Sequence, residues 1–342
     1  MSDPLLQLTL ARLREFVREP EALFWAFIFP IIMSVALAIA FPARGARPVP
    51  VGLAGGPDVD AVRAALDAAS DIAVRDLRPD EEARVLREGE VHVVVVPTRP
   101  PTYRFDPSRD ETRAAVLVVD RALKRAEGRP EPWDAREEPV VVPGSRYVDW
   151  LIPGIVGLGV MSTGMWGVGF SIVQARLRKV LKRLAASPMR RRDYLLAQTI
   201  ARLVFLAPEV AIPLAFGALA LGMPVNGSIA AIAVVSLAGG LSFTGLGLLI
   251  ASRPRTIEAV SGILNLAMLP MWVLSGVFFS TANFPAALQP FIQALPLTAL
   301  NDALRAVILE GAALGTIGGE LLVLAVWGVV PFMVALRVFR WV

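Results

Sequence analysis

Glu209 is the residue whose chemistry fits its surroundings least. It stands between Pro208 and Val210 in a long apolar run, RLVFLAPEVAIPLAFGALAL. A carboxylate at the centre of a bilayer costs about 2.5–3.5 kcal/mol on insertion scales for comparable charged residues. It must therefore be protonated, face other helices or find a partner. Two readings stay open: a group on a substrate or water path, and a packing hydrogen bond in a helix already broken by Pro208 and Pro213. A second constellation lies at 173–193. Val173, Leu177, Val180, Leu181 and Leu184 recur at helical spacing, with Arg176, Arg178, Lys179, Lys182 and Arg183 over the remaining surface. Ser187-Pro188 predicts the end of that helix, and Arg190, Arg191 and Arg192 follow. A short amphipathic helix of this kind can dock in a partner's groove, and its charges alone suit anionic lipid.

Other chemistry is missing from the sequence. There is no cysteine and one histidine, so neither a thiolate site nor a multi-histidine metal site can form within one chain. His92 sits in an apolar strand pattern and reads as a packed core residue. Gly52, Gly55 and Gly56 are the nearest thing to a phosphate loop, but no Lys-Ser/Thr follows them. No nucleophile elbow and no zinc-binding helix is present. The expectation is a chain that is not an enzyme and holds no cofactor or metal of its own.

The elements that position these residues are largely membrane spans. Apolar residues make up 55% of the 342 and charged residues 19%, more apolar surface than a soluble core of this size can hide. Residues 5–19 have helical periodicity, with Leu6, Leu10, Leu13 and Val17 on one face, and suit a helix lying in the membrane interface. A solvated extension of the next helix is the other reading. Pro20 makes a corner. Residues 22–41 carry no charge over one bilayer thickness and predict a permanent span rather than a cleaved signal. Further spans are predicted near 150–173, 197–221, 228–251, 257–280 and 317–336. The segment 281–316, broken by Pro285, Pro290 and Pro296, suits a re-entrant hairpin. The fold class is thus a polytopic α-helical membrane protein of six transmembrane helices with an inserted α/β domain.

That insert occupies 42–149. PVPVGLAG, DIAVRDL and VHVVVVP read as strands, PTYRFDP as extended chain, and DVDAVRAALDAA, PDEEARVLREGE and SRDETRAAVLVVDRALKRAE as helices. A Pro-rich return linker is expected at 130–143. Short loops assign the sides. Arg176 to Arg192 supply eight bases against Asp193, Arg253 and Arg255 follow the fourth span, and Arg337 and Arg340 follow the last. On the opposite side, 222–227 has no Lys or Arg and 281–316 has only Arg305. Both termini are expected in the cytoplasm and 42–149 outside, in a bacterial plasma membrane.

Several strings resemble the ABC-2 permease family, in the members with a large extracytoplasmic domain after the first span. REFVREPEALFWAFIFP is similar to the family's entry helix and first span. LRKVLKRLAASPMRRRDYLLAQ resembles its basic cytoplasmic loop. LPMWVLSGVFFS with FPAALQPFIQALPLTALNDALRAVILEG resembles its fifth span and re-entrant segment. LREGEVHVVVVP and FDPSRDETRAAVLVVDRAL look like its insert. One departure is the family's E-R-E-x-G-T pattern, where this chain has Gln174, Ala175, Arg176, Leu177 and Arg178. The resemblance implies an exporter subunit that pairs with a second permease chain, as homodimer or heterodimer, and with cytoplasmic ATP-binding cassette subunits that hold ATP and Mg. It implies an ATPase-coupling role for 174–194, with Leu177, Val180, Leu181, Leu184, Pro188 and Arg190, and a translocation path near Asn265, Trp272 and Phe278, to which Glu209 is added. Membrane lipids are expected partners and nucleic acid is not. A membrane-anchored ligand sensor would need fewer spans. A stand-alone secondary transporter would show internal repeats and more intramembrane charges.

Overall fold

The computed structural model describes residues 4–40, 48–107, 109–128, 146–186 and 191–340. It divides into two compact units, Met1–Pro42 with Val141–Val342, and Ala43–Val140. The predicted return linker lies outside the described residues.

The first unit is helical. Helix α1 is Pro4–Val17. After the extended Glu19, α2 runs from Pro20–Leu23 through one wide π turn, Phe24–Ile28, into Phe29–Ala40. The ring of Pro30 would meet the carbonyl of Ala26 in a regular α-helix, and the π turn opens the backbone there. Among the described residues five helices are long and apolar enough to cross a membrane: α6, Tyr147–Leu177; Asp193–Ala220, the apolar part of α8, Arg191–Ala220; α9, Ile229–Ala251; α10, Ile257–Leu274; and α13, Gly318–Val338. The short helix α7, Val180–Ala185, lies between α6 and α8. At the first predicted span, 22–41, the apolar helix Phe24–Ala40 is shorter than these five. The predicted re-entrant segment forms α11, Gln289–Gln293, and α12, Pro296–Glu310, with a bend of 85° between Ala286–Gln293 and α12.

Helix α9 is the hub of this unit, because small residues let its neighbours approach closely. A Cβ on Gly245 would stand 2.8 Å from the Gly328 carbonyl of α13, and one on Gly247 would stand 2.8 Å from the Gly164 carbonyl of α6. Ser242 Oγ donates to the Leu324 carbonyl of α13 at 2.5 Å. Ser228 and Thr256 cap α9 and α10 by accepting from the amides of Ala231 and Ala259.

Helix α12 is buried on most of its surface, including Leu297, Leu300, Ala303, Leu304 and Val307. Its last carbonyls lack partners within the helix. The loop before α9 supplies them: the Asn226 amide donates to Ile308 O at 2.8 Å and Asn226 Nδ2 to Leu309 O at 2.6 Å. Gly227 makes this approach possible, since a Cβ there would overlap the Val307 carbonyl. Gly227→Ala is therefore expected to lift the loop and to cost about 1–3 kcal/mol. Thermal unfolding in detergent checks this, and an unchanged midpoint would refute the close-approach argument.

In the second unit the strands are β1, Val49–Leu53; β2, Ile72–Asp76; β3, Val93–Val96; and β4, Thr102–Arg104. The sheet order is β2-β1-β3-β4, parallel between β1 and both β2 and β3, and antiparallel between β3 and β4. The unbroken valine run of β3 follows from cover on both faces. Val93 and Val95 pack with Leu66 of α3, Val59–Asp67, and with Ala115, Val119 and Leu123 of α5, Asp110–Ala126. Val94 packs with Leu77 and with Val85 of α4, Glu82–Glu88. His92 corrects its sequence reading. It precedes β3 rather than lying in the core, is partly exposed, and has Nε2 3.4 Å from Glu111 Oε2.

Candidate functional site

The predicted stripe at 173–184 does not run along one helix. Helix α6 ends at Leu177, and Lys179 adopts a left-handed conformation with φ of 57°. The angular count restarts at that turn, so the side chains separate. Val173 and Leu181 are fully buried, Leu184 packs partly against the core, and Leu177 and Val180 are exposed. Leu181 is thus an anchor, whereas Leu177 and Val180 are free to meet another surface. Pro188 and Arg190 lie outside the described residues.

Two interactions hold this end of the bundle in place. Arg176, in the last turn of α6, donates Nη1 to Ala251 O at 3.1 Å and to Pro254 O, and Nη2 to Ser252 O at 3.1 Å and Arg340 O at 3.0 Å. One guanidinium therefore gathers the end of α9, the loop after it and the chain after α13. Helix α1 packs on the opposite flank, along α8. Arg12 Nε donates to Gln198 Oε1 at 2.8 Å, and the rings of Phe16 and Phe205 lie 4.1 Å apart. Leu6, Leu10 and Val17 stay exposed on α1. A cavity of about 200 Å³ opens between these helices, with Arg12, Gln174, Val180, Leu184, Tyr194 and Gln198 on its walls.

Glu209 is almost wholly buried and has a partner in its own helix. Its Oε2 lies 2.6 Å from Nη2 of Arg202, which is also buried. Thr163, the first residue of the π turn Thr163–Gly167 within α6, completes the group. Its Oγ1 accepts from Arg202 Nη2 and lies 2.5 Å from Glu209 Oε1. Arg202 Nη2 also donates to Val160 O at 3.3 Å. The sequence carried a signal for this pair that its reading passed over: seven residues, two helical turns, separate Arg202 from Glu209. Thr163 carried none.

The four predicted path residues are not brought together. Glu209 is enclosed by α8 and α6. Asn265 and Trp272 share an exposed face of α10, two turns apart. Phe278 lies beyond that helix, because α10 ends at Leu274 and Gly276 turns the chain with φ of 67°. This corrects the predicted span of 257–280. The bend is held by α12, a role the sequence did not disclose. Arg305 is buried with its guanidinium 3.5 Å from the centre of the Trp150 ring, and donates to Trp150 O at 3.2 Å and to Gly276 O. Asn301 Nδ2 donates to Ser275 O at 3.0 Å.

Long apolar helices closely packed about α9, with the Arg202–Glu209 pair and Arg305 buried among them, define a polytopic helical integral membrane protein. The chain belongs to the ABC-2 family of transporter proteins, whose family model matches residues 20–337. This is a family of transport proteins rather than of enzymes, and it confirms the resemblance read from the sequence. The chain is similar to the probable multidrug ABC transporter permease YbhR of Escherichia coli (strain K12), at 26% identity over 229 residues. That match covers 66% of this chain and 61% of the relative, so the chain spans less than two thirds of the relative's length. It is 25% identical to ABC transporter G family member 20 of Dictyostelium discoideum over 174 residues, 50% of this chain and 24% of that protein. Nodulation protein J of Bradyrhizobium diazoefficiens is 32% identical over 101 residues, 30% of this chain and 38% of that protein.

Proposed function

We propose that this chain is the membrane-spanning subunit of an ATP-driven exporter of a lipid, a drug-like amphiphile or another small substrate. The observation that carries the reading is the α6–α7 turn. Leu177 and Val180 stand exposed at and just past the end of a span, while Leu181 and Arg176 fix the turn to the bundle. A projection held that firmly moves the helices when it is pushed. The push comes from a separate ATP-binding cassette subunit, which binds ATP and Mg, and Leu184, Pro188 and Arg190 belong to the same coupling segment. The chain itself holds no cofactor.

On the charge asymmetry of its short loops, both termini and this turn lie in the cytoplasm and 42–149 outside, in a bacterial plasma membrane. The first span is then α2. A second permease chain completes the assembly. The exposed face of α10 supports that reading, because Asn265 sits there among Ile263, Leu266 and Leu269, where a polar group gains from a partner helix. Trp272 and Phe278 lie toward the translocation path. Glu209 belongs to the wall behind it.

The test is affinity purification in mild detergent with identification of what accompanies the chain. A stoichiometric ATP-binding subunit is expected. Leu177→Glu/Val180→Glu is expected to weaken its docking by about 2 kcal/mol, roughly thirtyfold in affinity. A chain that purifies alone, with no nucleotide dependence of transport, would sink the reading and return a ligand sensor or a secondary transporter to consideration.

A further inference from the structure

The outer surface of α1 faces an open depression of about 480 Å³, lined by Ala11, Arg14, Glu15, Arg18, Glu19 and Arg178. Three of these are arginines from two segments, Arg14 on α1 with Arg18 four residues on, just past its end, and Arg178 from the α6–α7 turn. None of the three side chains has an ion-pair or hydrogen-bond partner among the described residues. Glu15 is already engaged by Arg12, which leaves Glu19 as the one acid at the rim without such an engagement among the described residues. Like charges at this helical spacing repel one another. The fold nevertheless assembles three of them around one hollow, an arrangement that favours a bound anion.

The surroundings say which anion. The apolar stripe of Leu6, Leu10 and Val17 lies on the same helix as Arg14, next to Arg18 at its end, and is exposed. Phe24 and Trp25, at the start of α2, are exposed as well. Apolar side chains and an exposed tryptophan next to arginines mark the level of lipid headgroups. We propose that Arg14, Arg18 and Arg178 form a binding site for the phosphate of an anionic phospholipid headgroup, whose acyl chains lie along the stripe of α1. The site borders the α6–α7 turn, so an occupied headgroup fastens α1 to that turn. An acidic protein surface would match the charges, yet it would leave the apolar stripe and Trp25 uncovered.

The experiment uses the purified full chain in detergent, with phosphatidylglycerol or phosphatidylcholine added and retained lipid counted by native mass spectrometry. Retention of phosphatidylglycerol is expected to exceed that of phosphatidylcholine about tenfold, and Arg14→Gln/Arg18→Gln/Arg178→Gln is expected to abolish the difference. Glu19→Gln, which adds no bulk, is expected to strengthen retention, and it keeps the test open should the triple variant fail to fold. Equal retention of both lipids by the unaltered chain, or undiminished preference in the folded triple variant, overturns the proposal. So does competition by inorganic phosphate at the same concentration as the lipid, which would mark a site for a free anion. Loss of an ATP-binding subunit from the triple variant with lipid retention unchanged would assign the face to protein docking instead. The lipid readout needs no ATPase, so it stands or falls apart from the proposed function.

Discussion

Glu209→Ala is expected to destabilise the protein by about 3–5 kcal/mol, because it leaves the Arg202 guanidinium buried without its counter-charge. Arg202→Met should cost a similar amount, for it strands the carboxylate beside Thr163. The double variant Arg202→Met/Glu209→Gln should recover most of the loss, since replacing both members of a buried pair by uncharged groups of like volume is often neutral. Thermal unfolding in detergent, run as a double-mutant cycle, measures the coupling directly. Single variants within about 1 kcal/mol of the parent would mean that water or lipid headgroups already reach the pair. Transport by a stable double variant then separates two roles. Full transport marks the pair as packing, and a stable but silent protein marks it as a moving part.

Arg305→Leu is the second large expected loss, again about 3–5 kcal/mol. The side chain donates to the carbonyls of Trp150 and Gly276, has its guanidinium 3.5 Å from the centre of the Trp150 ring and faces Asp302 at 3.6 Å. Removing it leaves the Gly276 carbonyl without its donor and takes away the cation over the Trp150 ring. Arg305→Lys should not rescue, because an ammonium has neither the planar fork nor the stacking face. The measurement is again unfolding in detergent, with limited proteolysis at 275–280 to report whether the bend has come free. A lysine variant as stable as the parent would show that charge alone suffices there.

The helical scaffold is legible in the sequence because each long span carries its own signature of length and apolar content. The same holds for the strands of the second unit, where the valine run of β3 and the helical spacing of Ala115, Val119 and Leu123 are local patterns. What fails is whatever depends on a single backbone angle or a distant partner. A lysine in the left-handed region has no sequence warning, so the stripe at 173–184 reads as continuous until Lys179 divides it. The end of α10 is different, since Ser275-Gly276 after an apolar run is a recognisable stop. Arg202 could have been paired with Glu209 by counting two turns. Thr163, 46 positions away from Glu209, could not. Arg305 reads as a loop base, because nothing near it in sequence announces the Trp150 ring.

Arg176 also sets an order of events during synthesis of the chain. Its bond to the Arg340 carbonyl joins residues 164 positions apart. At bacterial and eukaryotic elongation rates, that interval is roughly 10–30 s of translation. Throughout it, α6 is already made while the segment after α13 is still on the ribosome. The carbonyls of Ala251, Ser252 and Pro254 are made 75–78 positions after Arg176, but its fourth acceptor arrives only with the chain after α13. A nascent chain arrested before Arg340 would therefore hold the end of α9 and the loop after it, but lack the bond that ties the chain after α13 to α6.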